Sequence, residues 1–180
     1  MIGDYFSTMK ISKPAPSDLS EYYQSYLSYV PEDDLLKALK EQKSVMEDLI
    51  ASVPADKETF RYAEGKWMLK EVVGHLCDTE RILTYRALRI SRNDKIPMSG
   101  FDENWYTPNS NYSDRTLKNI SEELFAVRIA TILLFENMSV EMFDRQGTAN
   151  ESEVTVRGIL FFIVAHARYH IRVIKERYLK

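Results

Sequence analysis

Four stretches of the chain repeat apolar residues at steps of three and four, the spacing that lines one face of an α-helix. In the first, Leu35, Leu39, Met46, Leu49 and Val53 form one stripe, which predicts a helix from about Pro31 to Val53. Proline fits an early helical position, Glu32, Asp33 and Asp34 suit the positive end of the dipole, and Pro54 stops the helix. In the second, Val72, His75, Thr79 and Ile82 share a face, predicting a helix from about Met68 to Arg92 that Pro97 forbids from continuing. In the third, Leu117, Ile120, Leu124, Val127, Thr131 and Leu134 step 3, 4, 3, 4, 3, the seam of a bundle helix. It is expected over 114–137, with Ser113 as N-cap. In the fourth, Ile159, Ile163, His166, His170 and Val173 lie on one seam of a helix expected over 155–179. Arg172, Lys175 and Arg177 stand near its C-terminal end, where cations suit the dipole.

The intervening stretches lack this period. Residues 1–17 form an irregular arm, and 18–29 predict a short aromatic helix capped by Ser17 or Asp18. A long loop spans 94–112, dense in asparagine and carrying Phe101, Trp105, Tyr106 and Tyr112, a composition that predicts a loop packed down on the domain. A helical turn is expected at 140–143 and a polar loop or small hairpin at 145–153. With no convincing strand pattern, the fold class is an all-α four-helix bundle with a long loop between its second and third helices. The arm takes 1–30 and the bundle 31–180.

Bulk properties narrow the function classes. A chain of 180 residues with 44% hydrophobic and 28% charged residues suits one globular domain. A net charge of −3 argues against a nucleic-acid partner. No apolar run is long enough to cross a membrane. The start, MIGDYFSTMKISKP, lacks the basic and apolar regions of a signal peptide, and the single cysteine, Cys77, fits a reducing compartment; the expectation is a cytoplasmic protein.

All three histidines fall on predicted inward faces. His166 and His170, spaced i, i+4, stack on one side of the fourth helix. His75 supplies a third imidazole if the second helix is its neighbour. Imidazole suits zinc, nickel, copper or iron, and three protein ligands leave an open position for water or substrate. The plain alternative is three ordinary core or surface histidines, and spacing alone leaves both open.

The segment KWMLKEVVGHLCDTE (66–80) resembles the second-helix motif of the DinB/YfiT-like superfamily: a tryptophan before the helix, an acidic residue within a turn, and a histidine at His75. AHARYH (165–170) is similar to the family's last-helix H-x-x-x-H, and GFDENWY (100–106) to its acidic–tryptophan loop. The pieces occur in the family's order, over about 31–179. The resemblance implies a metal-dependent four-helix bundle with a three-histidine site at His75, His166 and His170. It also implies relatives that transfer low-molecular-weight thiols such as bacillithiol, mycothiol-dependent isomerases, and a homodimer. Met68 departs from the pattern, where Ser or Thr often caps the helix.

Other side chains carry competing readings. Asp78 is a second support or base for the histidines, or a surface carboxylate paired with Arg81 or Arg86; the latter is preferred. Asp102 and Glu103 reach the open metal position, or Asp102 caps a turn while Trp105 anchors the loop. Cys77 reads as a small buried hydrophobe. Arg86, Arg89, Arg92 and Lys95 read as a solvated basic face rather than a carboxylate grip. Tyr169 reads as core. There is no H-E-x-x-H, Glu-x-x-His, glycine-rich phosphate loop or Cys-x-x-Cys.

With the resemblance added, the expectation is an enzyme with one divalent transition metal, zinc or nickel foremost. It activates a thiol or water against a small-molecule electrophile, with a low-molecular-weight thiol as co-substrate. The competing expectation is a non-catalytic, metal-stabilised bundle that binds or dimerises.

Overall fold

The computed structural model describes residues 9–180. The first eight residues of the expected arm lie outside that range. In chain order the elements are α1 (Glu21–Gln24), α2 (Leu35–Ala51), α3 (Leu69–Ser91), α4 (Glu103–Asn109), α5 (Leu117–Glu136), β1 (Gln146–Ala149), β2 (Ser152–Thr155) and α6 (Val156–Val173). A π-helical turn, Ile174–Tyr178, continues α6. The bundle is α2, α3, α5 and α6, with α3 packed on α5 and α6, and α2 on α5 and α6.

Helix ends are set by side chains that satisfy free backbone N–H groups, and here the sequence expectations shift. α2 begins four residues later than expected because Asp34 accepts from Lys37 N at 3.2 Å. Glu32 is thereby left in the loop to pair with Arg168. α5 begins at Leu117 because Thr116, not Ser113, accepts from Asn119 N at 3.2 Å. α1 is capped by Ser20, which accepts from Tyr23 N, rather than by Ser17 or Asp18. Met68 has no side-chain oxygen to offer; Glu71 supplies half of a capping box, accepting from Met68 N at 2.6 Å.

The long loop is not wholly irregular. Asp102 caps α4, accepting from Asn104 N at 2.9 Å, and a 3-10 turn follows at Tyr112–Asp114. Trp105 does not anchor it, being 68% exposed; buried Thr107 and Tyr112 do. Of the two alternatives for 145–153 the hairpin forms, over 146–155, with β1 antiparallel to β2. Its two-residue turn places Asn150 at φ 50° and Glu151 at φ 61°, the left-handed pair that matches strand twist. Met98 bridges to this hairpin, donating to Thr148 O at 3.0 Å and accepting from Asn150 N at 2.9 Å.

A polar knot crosses the apolar core. Gln42 of α2 donates to Val164 O of α6 at 2.9 Å and accepts from Arg128 Nη1 of α5 at 2.8 Å, and Arg128 also grips Glu80 of α3. One network therefore touches all four bundle helices, within five residues of His75 on α3 and two of His166 on α6. A hydrogen-bonded network in a dry interior has one satisfied arrangement, so it fixes the register of those two helices.

Candidate metal centre

The registers of α3 and α6 bring the three histidines together. His75 Nε2 lies 3.1 Å from His166 Nε2, and His170 Nε2 lies 3.1 Å from the same atom. One ligand atom from each residue falls within 4.8 Å of the others. With metal–nitrogen bonds of about 2.0–2.1 Å, nitrogens around one ion stand about 2.8–3.0 Å apart on an octahedral face and about 3.3–3.4 Å apart in a tetrahedron. The donor set therefore fits a transition ion.

Electrostatics point the same way. Burial lowers the His75 pKa to about 4. Burial, then the neighbouring His75, lowers that of His170 to about 3. His166 is pushed well down by burial, then by His170 and His75. At neutral pH all three rings are uncharged, with lone pairs free for a cation. His75 Nδ1 faces Thr79 Oγ1 at a long 3.4 Å, and a proton on Nδ1 leaves Nε2 as the ligand atom. Among the described residues, His170 Nδ1 is sealed from solvent without a hydrogen-bond partner.

Aromatic rings hold the imidazoles in place. Trp67 lies 4.9 Å from the His75 ring, Phe162 5.5 Å from His166, and Tyr169 4.9 Å from His170. Tyr23 of α1 stacks on Phe162 at 4.1 Å, so the segment before the bundle forms part of the same wall. The histidines open onto a cavity of about 770 Å³, lined also by Tyr26, Leu83, Arg86, Phe101 and Glu103 and by Ala149, Asn150, Ser152 and Val154 of the hairpin.

The remaining candidates separate. Asp78 is half-buried and turned to Tyr112, whose hydroxyl donates to it at 2.8 Å; it does not line the cavity and pairs with neither Arg81 nor Arg86. Burial raises its pKa, against that hydrogen bond. Arg81 pairs with Glu123 instead. Asp102 is spent on the α4 cap, while Glu103 lines the cavity. Cys77 is buried away from the site, its thiol pushed up to about 12 by burial. The basic run divides. Arg89 pairs with Asp94 and Lys95 donates to Gln146 O, but Arg86 is buried in the cavity wall, not solvated. Tyr169 faces the cavity rather than the core. Arg86 had a legible signal, since eleven residues after His75 returns to the same helical face. The tyrosines of 22–26 had none beyond their aromatic density.

The DinB superfamily model matches residues 38–174. No curated protein matches in sequence. Among solved structures, YfiT from Bacillus subtilis is described as a probable metal-dependent hydrolase with an unusual four-helix bundle topology. It superposes with a TM-score of 0.73 at 16% identity, over 92% of this chain and 91% of its own. A mycothiol-dependent maleylpyruvate isomerase superposes with a TM-score of 0.56 at 15% identity, over 87% of this chain and 60% of its own. Among the described residues no helix is long and apolar enough to cross a membrane.

Proposed function

The chain belongs to the DinB superfamily, and from that premise we propose that it is a metal-dependent enzyme whose His75, His166 and His170 hold one divalent transition ion, zinc or nickel, facing the cavity. The observation that carries this reading is the convergence of three neutral imidazoles on the floor of an open 770 Å³ cavity. A structural site is closed by a fourth protein ligand. Among the described residues no carboxylate or thiolate joins the three histidines, which favours the enzyme over a metal-stapled bundle.

A divalent ion in that place supplies Lewis acidity, lowering the pKa of water or a thiol and polarising an electrophile. The chain's own residues do the rest. Thr79 and Trp67 hold the His75 ring, and the Glu80–Arg128–Gln42 knot holds the helices that carry the ligands. Tyr23, Tyr26, Phe162 and Tyr169 wall the site with aromatic surface, which limits water around the reacting atoms. The reaction class is thiol transfer or hydrolysis on a small molecule, with a low-molecular-weight thiol as co-substrate in the first case. Of the structural neighbours, one is described as a probable metal-dependent hydrolase and the other as a mycothiol-dependent isomerase, which supports a metal-dependent reaction.

The test is elemental analysis of purified wild type and His166→Ala, each also reconstituted with zinc and with nickel. About one ion per chain in the wild type, lost in the variant, supports the site and justifies a screen for thiol transfer. No ion in either protein after reconstitution overturns it.

A further inference from the structure

Arg86 and His75 project from one face of α3. Eleven residues make three turns plus about 20°, with about 16 Å of axial rise between the two Cα atoms. Helical side chains lean toward the N-terminus, which brings the guanidinium back toward the histidines. Both residues line the same cavity.

Arg86 is 6% exposed. Its Nη2 donates to Ser99 O at 2.8 Å, and its guanidinium carbon stands 5.9 Å from the centre of the Phe101 ring. Among the described residues it makes no other hydrogen bond and no ion pair. Arg81, Arg89 and Arg128 on the same or the adjacent helix are each matched to a carboxylate. Glu21 and Glu103 line the cavity, yet neither pairs with Arg86. A guanidinium cannot discharge itself, and the N–H groups that Arg86 does not give to Ser99 open onto the cavity, where they are available to an anionic ligand. The desolvation of Arg86 is felt as a lowered pKa, opposed only by nearby Tyr23.

We propose that Arg86 is the anion subsite of this cavity, and that the substrate carries a carboxylate at the end remote from the atom presented to the histidines. The proposal rests on the catalytic reading of the histidine site. A monoanion fits better than a phosphate dianion, because a single guanidinium, one of whose N–H groups is already given to Ser99 O, offers one positive charge. Leu83, Phe101, Tyr23 and Phe162 give the cavity apolar surface, beside Thr79, which suits a substrate whose middle is apolar.

Zinc-loaded protein is titrated calorimetrically with a series of ω-mercaptoalkanoates and with mercaptoalkanols of equal chain length. Comparing acid with alcohol cancels the contribution of the thiol. Wild type binds the acid about tenfold or more tightly at the best chain length. Arg86→Gln abolishes that preference while its zinc content is unchanged. No preference in the wild type at any length, or a preference kept in folded Arg86→Gln, overturns the proposal. If Arg86→Gln does not fold by circular dichroism, Arg86→Lys decides. Loss of the planar fork lowers the preference several-fold if Arg86 binds the carboxylate, and leaves it unchanged if it does not. His166→Ala separates the two readings. Zinc retained in that variant refutes the histidine site, whereas the Arg86 comparison is judged on the acid-to-alcohol ratio alone.

Discussion

The ring of Tyr112 lies so close to Gly74 that a β-carbon built on the glycine would stand 2.4 Å from Tyr112 Cδ2. Gly74 immediately precedes His75, and the tyrosine hydroxyl is tied to Asp78 one turn on. The glycine is there for close approach rather than for an unusual backbone angle. Gly74→Ala therefore displaces Tyr112 and costs about 1–3 kcal/mol, as overpacking does. In a Tyr112→Ala background the same substitution costs little. Urea unfolding of the four proteins in the cycle measures the coupling, and additive costs contradict the clash.

The Glu80–Arg128 pair makes a second prediction. Arg128 is fully buried and bidentate, Nε to Oε1 at 2.8 Å and Nη2 to Oε2 at 2.7 Å. Arg128→Met strands the Glu80 carboxylate in the core and is expected to destabilise by about 3–5 kcal/mol. Adding Glu80→Gln removes the stranded charge and recovers much of the loss. Chemical denaturation of single and double variants decides, and a double variant as weak as the sum of the singles overturns the account.

Much of this was legible in the sequence, and the reasons for the rest are physical. The apolar stripes give the four bundle helices because burying one face is what stabilises them, and the histidines stand out as polar residues on those stripes. Caps are harder. Whether Asp34 or a neighbouring carboxylate caps α2, and whether Thr116 or Ser113 caps α5, depends on backbone geometry at a single residue. The Glu80–Arg128 pair joins residues 48 apart and leaves no periodic trace. Arg86 sits in a run of cations that looks solvated, and only its distance from His75 distinguishes it. The seating of Tyr23 on Phe162 depends on how a short segment docks, which its own composition does not encode.

Protons compete with any cation at the histidine centre. In the metal-free fold the three pKa values lie below the usual 6.5, at about 4 for His75 and about 3 for His170. Between those values and 6.5 the unfolded chain binds protons that the fold refuses, so stability is full above 6.5 and falls as pH drops toward 4. The melting temperature of chelator-treated protein is expected to decline over that window, and less steeply in His166→Ala. A flat profile in the wild type removes the argument for neutral, buried imidazoles.

Zinc should raise the melting temperature of the same metal-free protein. An ion at a hundred times its dissociation constant stabilises by about 2.7 kcal/mol. The shift is expected in wild type and absent in His170→Ala, as read by differential scanning calorimetry. A shift of equal size in both places the ion elsewhere.

Cys77 is expected to resist alkylation. The thiolate is the reactive form, and burial holds this thiol far from it. Iodoacetamide labelling at neutral pH, followed by mass spectrometry, should modify Cys77 only after denaturant is added. Rapid native labelling contradicts its burial.

His75 and His166 meet although 91 residues separate them along the chain. During synthesis α3 leaves the ribosome with one histidine of the set and waits for α5 and the hairpin before its partners on α6 emerge. Until then the nascent chain presents a lone imidazole, a weak competitor for the cell's loosely held metal. The three-histidine cluster exists only once the last bundle helix has docked, so an ion held by all three would require the finished fold, whereas α6 alone carries only the His166–His170 pair.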